Sequence, residues 1–182
     1  YAPVGFDGAV PESGLGRLLG LADRLDTVAG LFAVGERPSG SKDPFALRRA
    51  AQGAVKIVAE AGWELDLGAA VDAAARQVAG HAAEGPAALG AALTEFMAER
   101  VRRWLTDVVG VAGDTADAVM AAGWADLPGA AAPAEALERA RGSAAIRSLS
   151  PAFKRAGHLT EGELVAAVDA ALFAHAEERE LA

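Results

Sequence analysis

The sequence predicts an all-α fold, an irregular array of about seven to nine helices. Apolar residues make up 52% of the chain, with alanine the commonest, while aromatic residues contribute only 5%. This composition favours helix over sheet. Apolar residues also recur at three- and four-residue spacing, most clearly from Leu89 to Val108. No Asn-Gly or Asp-Gly turn joins two alternating apolar runs, so no β-hairpin is predicted.

The first helix is predicted from about Gly14 to Val34 because apolar residues at helical spacing share one face. These residues are Leu15, Leu18, Leu19, Ala22, Leu25, Val28 and Phe32. Asp23 falls on a different face of this helix. One face of the helix is therefore apolar.

A polar turn rich in glycine and proline separates the first helix from the second. Asp43 followed by Pro44 is a helix-start signal, because a carboxylate accepts unpaired N–H groups and proline loses no hydrogen bond there. The second helix is therefore predicted from Pro44 to Ala61, with Gly62 as its C-cap. Its inward side chains are expected to be Phe45, Leu47, Ala50, Ala51, Ala54 and Val58.

The remaining helices follow from the same start and stop signals. Asp66 is predicted to cap the third helix and Asp114 the fifth. The seventh helix is predicted to start at Ser150-Pro151, and the eighth at the capping-box pattern Thr160-x-x-Glu163. Residues 124–135 are interpreted as a connector. The predicted ranges are Leu67–Gly80, Pro86–Val108, Asp114–Gly123, Ala134–Leu149, a short helix from Ser150, and Thr160–Arg179.

Charge and cysteine content exclude several kinds of site. The net charge of −8 arises entirely after residue 60, since residues 1–60 hold seven basic and seven acidic residues. The acidic remainder argues against a general nucleic-acid surface there. The chain has no cysteine, which excludes disulfides and thiolate metal ligands. With no signal-peptide pattern and no long apolar run, a cytoplasmic protein with no membrane partner is expected.

Four sequence words resemble one family. Leu21–Thr27 reads LADRLDT and Gly40–Ala51 reads GSKDPFALRRAA, and both closely resemble the β subunit of bacterial heterotetrameric glycyl-tRNA synthetase. Weaker resemblance continues through Phe96–Trp104 (FMAERVRRW) and Phe153–Leu159 (FKRAGHL). These words lie in family order along most of the chain.

The resemblance implies a domain organisation and a function. Residues 1–62 would form the C-terminal part of an HD-like helical domain, and residues 63–182 a helical linker leading to an anticodon-binding domain that this sequence does not include. In the family, the α subunit carries the adenylate chemistry with ATP, Mg and glycine, and the β subunit grips the tRNA. The chain would then have no catalytic residue and no cofactor of its own. Its partners would be the α subunit and tRNA(Gly), with no DNA.

A metal-dependent HD phosphohydrolase is an alternative, because LADRL also resembles the helix that ends that family's metal site. By this resemblance Asp23 corresponds to the last metal-ligating aspartate. The other ligands would be a histidine and a His-Asp pair on earlier helices. Here His81, His158 and His175 all follow Asp23, and none precedes an aspartate. No complete metal site is expected, and Asp23 is interpreted as capped or ion-paired with Arg24 or with Arg48 or Arg49.

Two basic groups are the candidate RNA contacts. Lys42, Arg48 and Arg49 surround the central turn, and Lys154 with Arg155 lies near the end of the chain. Cations at such positions suit phosphate oxygens, and arginine presents a planar fork to them. A purely structural interaction module, in which these side chains only face solvent, remains a third hypothesis.

The arginines of the fourth helix are interpreted differently. Arg100, Arg102 and Arg103 are expected to form a solvated face. Glu99 is expected to pair with Arg103, and Glu95 with Arg102 or a neighbouring arginine, at helical spacing.

Overall fold

The structure is a computed structural model that describes residues 5–159 and His175. Between residues 14 and 159 it contains seven α-helices, which are α1 (Gly14–Ala33), α2 (Leu47–Ala61), α3 (Leu67–Val78), α4 (Pro86–Trp104), α5 (Gly113–Ala122), α6 (Leu127–Arg141) and α7 (Ala144–Leu159). In this part of the chain the only β-type pairings are two isolated bridges, Ser39 with Lys42 and Asp66 with Asp126. The prediction of an all-α, multi-helix fold is confirmed.

The chain divides into two compact units, Tyr1–Ala140 and Arg141–Ala182. In the first unit, α1 packs against α2, α3 against α4, and α1 and α2 both contact α4. The core lies where these four helices meet, and its largest fully buried apolar side chains include Leu47, Ile57, Leu67, Leu89 and Met97. Helices on both sides of residue 62 contribute to this core. The predicted domain boundary after residue 62 remains a prediction.

Several helix ends lie where local signals placed them. The Oδ1 atom of Asp66 accepts a hydrogen bond from the Ala69 N–H at 2.8 Å, which caps α3. Gly62 ends α2 in the left-handed conformation, at φ 63° and ψ 29°. Ser13 caps α1 by accepting from the Gly16 N–H at 3.1 Å. At the end of α4, the chain passes into a π-helical segment, Leu105–Val109, and turns at Gly110.

The second helix starts at Leu47, not at Pro44 as predicted. Ala46 adopts the left-handed conformation at φ 56°, which no α-helix can continue through. Asp43 is nevertheless the capping residue. Its Oδ1 accepts from the Leu47 N–H at 2.7 Å and its Oδ2 from the Arg48 N–H at 3.0 Å.

The predicted connector over residues 124–135 is partly wrong, because α6 begins at Leu127 and contains Pro133 in its interior. The predicted helix start at Ser150-Pro151 is also wrong, since Pro151 lies inside α7. The chain breaks instead at Gly142 and Ser143, where the Ser143 Oγ accepts from the Ile146 N–H at 3.3 Å. Asp114 is the second residue of α5, so it lies in the first turn and is not the N-cap, which is Ala112. The predicted helix Thr160–Arg179 lies outside the described residues.

Residues 14–20 of α1 contribute no buried side chain to the core, which begins with Leu21. Leu15, Leu18 and Leu19 are 67%, 56% and 60% exposed, so the N-terminal part of this apolar face is not covered by other residues that the structure describes. The second half, with Val28 and Phe32, is buried. Within residues 5–159, no helix combines the length and the apolar character needed to cross a lipid bilayer.

Candidate nucleic-acid interface

The central turn is closed by its own backbone. Ser39 and Lys42 exchange two hydrogen bonds, Ser39 N–H to Lys42 O at 3.1 Å and Lys42 N–H to Ser39 O at 2.9 Å. Gly40 occupies the turn at φ 51°, where a side chain would be strained. The turn therefore holds Lys42 at an exposed position next to the start of α2.

Arg48 fastens this turn to α2. Its Nη2 donates to the Gly40 carbonyl at 2.8 Å and its Nη1 to the Lys42 carbonyl at 3.4 Å. The side chain is half-buried. These bonds occupy guanidinium donors that a phosphate would otherwise use, so Arg48 acts as a positioning residue for the turn. A direct contact between Arg48 and RNA stays a prediction.

A shallow cleft lies between α1 and the start of α2. Its volume is about 270 Å³, and the residues that line it include Asp23, Thr27, Phe45 and Arg49. Phe45 is 50% exposed, so the prediction that it packs inward is wrong. The physical reason is the left-handed conformation of Ala46. The helix begins only at Leu47, so Phe45 lies outside it. Sequence periodicity gave no sign of this cleft.

Asp23 is exposed on α1, beside the buried Arg24. Burial lowers the pKa of the Arg24 guanidinium, while the Asp23 charge opposes that shift. Arg24 also donates from Nη1 to the Gly20 carbonyl at 2.7 Å. Arg24 is one of the three arginines that were predicted as ion-pair partners of Asp23. Asp23 also lines the same cleft as Arg49.

Among residues 5–159 and His175, no three histidine, aspartate or glutamate side chains are grouped so that they could hold a metal ion. His81 and His175 are both exposed, and the side chain of His158 lies outside the description. The assignment of Asp23 as a remnant of an HD metal site remains a prediction.

The second predicted basic pair lies on α7. Lys154 and Arg155 are both exposed there. They belong to the second compact unit, whereas Lys42, Arg48 and Arg49 belong to the first. Each group is therefore treated as a separate candidate.

Arg100 was expected to face solvent, and the structure corrects this. Its side chain is only 2% exposed, its Cζ lies 4.6 Å from the centroid of the Phe96 ring, and it pairs with Glu99. Its Nε is buried without a hydrogen-bond partner. Burial lowers the pKa of Arg100, and the positive charges of Arg103 and Arg48 lower it further, while Glu99 raises it.

A signal for the burial of Arg100 was present in the sequence. Arg100 follows Met97 by three residues and Phe96 by four, so it lies along the same apolar stripe of α4. The long aliphatic stem of arginine can pack among apolar side chains.

The other two arginines of α4 are ion-paired at the surface. Arg103 approaches Glu99 at 3.7 Å, which confirms that predicted pair. Arg102 pairs with Asp117 on α5, where its Nε and Nη2 donate to the two carboxylate oxygens at 2.6 and 3.1 Å. The hydrogen bond from Arg102 lowers the pKa of Asp117. The predicted pairing of Arg102 with Glu95 is thus replaced by a link between two helices.

The sequence of this chain matches one family of known proteins. A family model described as "Glycyl-tRNA synthetase beta subunit" matches residues 1–121. The chain is 39% identical over 191 residues to a curated glycine–tRNA ligase beta subunit from Acidobacterium capsulatum, across 100% of this chain and 27% of that protein. It is 39% identical over 178 residues to the same subunit of Geobacter metallireducens, across 98% of this chain and 26% of that protein.

A third relative, from Anaeromyxobacter sp. strain K, is also described as a glycine–tRNA ligase beta subunit. It is 39% identical over 185 residues, which cover 100% of this chain and 26% of that protein. The chain thus spans about a quarter of the length of the curated relatives that it matches. The family match covers more than half of the chain, and it agrees with the resemblance in the words around Asp23 and Lys42. The chain belongs to the glycyl-tRNA synthetase β subunit family.

Proposed function

We propose that this chain positions tRNA(Gly) and supports contacts between subunits and domains in a glycyl-tRNA synthetase. It makes no bond itself. The α subunit is its partner and performs the adenylate chemistry with ATP, Mg and glycine, so the chain has no cofactor of its own. In this proposal, residues 1–62 complete an HD-like domain, residues 63–182 form a helical linker, and the complex works in the cytoplasm.

The observation that carries the proposal is the rigid turn before α2. Lys42 and Arg49 are both exposed there, while Asp43 and Arg48 fix the backbone beneath them. A backbone that is already held in place need not be ordered when its cations meet a phosphate, so the cost of binding is limited to the two side chains. This turn also carries the sequence words that resemble the family most closely.

The overall charge sets the strength of the expected interaction. The net charge is −8, but residues 37–49 hold four cations, Arg37, Lys42, Arg48 and Arg49, and one carboxylate, Asp43. We therefore expect a local RNA contact of modest affinity with a shallow salt dependence, because only a few counterions are released.

Binding of tRNA(Gly) to the chain across a salt series tests the proposal, with the double variant Lys42→Glu/Arg49→Glu beside the wild type. The wild type should bind at low salt, and the variant should lose most of this affinity and the salt dependence with it. Arg48 is left unchanged, because reversing its charge would also release the turn.

The matched control is Arg76→Glu/Arg139→Glu, which makes the same change in charge at two other exposed arginines. It should bind more tightly than the Lys42/Arg49 variant. Equal losses in both double variants would mean that only net charge matters. If the folded wild type fails to bind at low salt, the turn is scaffold, and the structural-module hypothesis holds for this region. Lys154→Glu/Arg155→Glu tests the α7 pair in the same assay.

A further inference from the structure

An exposed aromatic ring stands beside the proposed phosphate contacts. Phe45 is 50% exposed, three residues after Lys42 and four before Arg49. Its neighbour Ala46 holds the left-handed conformation at φ 56°, the one non-glycine residue with positive φ among those described. Strained residues of this kind persist where the surrounding structure fixes them. Here the Leu47 and Arg48 N–H groups on its C-terminal side donate hydrogen bonds to the Asp43 carboxylate on its N-terminal side, which fixes the backbone around Ala46.

The cleft beside Phe45 has a largely apolar lining, with Gly5, Ala46 and Ala50 among its residues, and a few polar groups. Asp23 and Thr27 line it from α1 and Arg49 from α2. The cleft therefore combines an aromatic face, a cation, a hydroxyl and a carboxylate. Its volume of about 270 Å³ lies just below the range of roughly 300–1,000 Å³ that is typical of small-molecule sites, which suits a single base.

We propose that this Phe45 cleft binds one unpaired guanosine of the RNA. The inference rests on the proposed function and names what the same site recognises. The base stacks on the Phe45 ring, Arg49 meets the adjoining phosphate, and the Asp23 carboxylate accepts hydrogen bonds from the edge of the base.

The carboxylate provides the selectivity. An ionised aspartate only accepts hydrogen bonds. Guanine carries two adjacent donors on its Watson–Crick edge, N1–H and the N2 amino group, which match the two oxygens of a carboxylate. Uracil presents one donor between two carbonyl oxygens, and these would face the Asp23 charge unfavourably. Recognition of unpaired bases by stacking and by their Watson–Crick edges is the usual route to sequence-specific RNA binding.

The charges of the cleft favour RNA over a protein partner as its occupant. An apolar protein contact would not require both Arg49 and Asp23 beside an exposed ring.

Fluorescence anisotropy with labelled UUGUU and UUUUU oligoribonucleotides tests this inference on the chain and its variants. Wild type should bind UUGUU more tightly by about tenfold, the discrimination typical of one well-paired base.

Three variants separate the contributions. Phe45→Ala should weaken both oligonucleotides by on the order of tenfold, and Phe45→Trp should retain binding, because stacking supplies affinity for any base. Asp23→Asn should lose the preference for UUGUU and should bind UUUUU at least as tightly as wild type does, because uracil then no longer faces a carboxylate charge. Leu15→Ala is the control, because Leu15 is also exposed but precedes Asp23 by eight residues, about 12 Å along α1.

The outcomes distinguish this inference from the proposed function. Equal binding of UUGUU and UUUUU by wild type, or unchanged affinities in Phe45→Ala, would overturn the guanosine site. Salt-dependent binding of tRNA(Gly) that Lys42→Glu/Arg49→Glu abolishes would then still support the function. If Phe45→Ala leaves both RNA affinities intact but reduces self-association, the ring serves a protein contact and the inference fails. Circular dichroism and urea midpoints verify that each variant is folded.

Discussion

Replacement of the buried Arg100 by methionine should stabilise the protein. The Arg100 side chain is 2% exposed, and its Nε has no hydrogen-bond partner. Its ion-pair partner is Glu99, whose side chain is 53% exposed and therefore partly screened by water. Methionine has a similar length and no charge, so it can fill the same space without the cost of burying a guanidinium.

The expected gain is about 1 kcal/mol in the free energy of unfolding. An unsatisfied buried donor costs roughly 1–3 kcal/mol, and buried ion pairs replaced by apolar residues are often neutral or stabilising by about 1–4 kcal/mol. The contact with the Phe96 ring, at 4.6 Å, is lost and offsets roughly 0.5–2 kcal/mol of that gain. Glu99→Gln should have the opposite sign and cost about 1 kcal/mol, because the buried charge then loses its partner.

Urea unfolding followed by tryptophan fluorescence measures both changes, since the buried Trp104 lies one turn from Arg100 on α4. Arg103→Met is the matched control, because Arg103 approaches the same Glu99 but is 55% exposed. It should change stability by less than about 0.5 kcal/mol. A loss of more than 1 kcal/mol in Arg100→Met would refute the reasoning and show that the buried cation is net stabilising.

Two further predictions concern single carboxylates. Asp43→Ala should lower the free energy of unfolding in urea by about 1–2 kcal/mol, because α2 loses two capping bonds. Asp66→Ala is the comparison, because it removes a single capping bond, the one from the Ala69 N–H. A loss in Asp43→Ala that is no larger than the loss in Asp66→Ala would contradict this prediction. Asp117 has a folded pKa below its usual 3.8, so its ionised form stabilises the protein above that value, and this contribution is lost as the pH falls through the lowered pKa. The urea midpoint of wild type should therefore fall more steeply than that of Asp117→Asn between about pH 5 and pH 2, and parallel pH profiles would sink this idea.

The local signals in the sequence predicted most of the helices. Asp66 marks a helix start through a bond to a residue three positions away, Gly62 marks an end through its left-handed backbone, and Pro86 marks a start through its fixed φ. Each of these signals is contained in the neighbouring sequence. These signals are weaker where alanine-rich segments can form helix on either side of a proline. This is why the predicted breaks near Pro133 and Pro151 were wrong.

The candidate site was only partly predictable. The sequence words around Lys42 and Arg49 identified the turn, and the family comparison confirms the family that they resemble. The cleft beside Phe45 depends on the left-handed Ala46 and on the packing of α1 against α2. Neither the conformation of one alanine nor the contact between two helices is encoded in residue spacing.

The sequence by itself determined the all-α class, the family and the main capping residues. Only the tertiary structure decided that Arg100 lies in the core while Leu15, Leu18 and Leu19 lie at the surface. The physical reason is that helical periodicity shows which side chains share a face. Whether that face is covered depends on where the other helices pack, and this is set by contacts between residues that are distant in the chain.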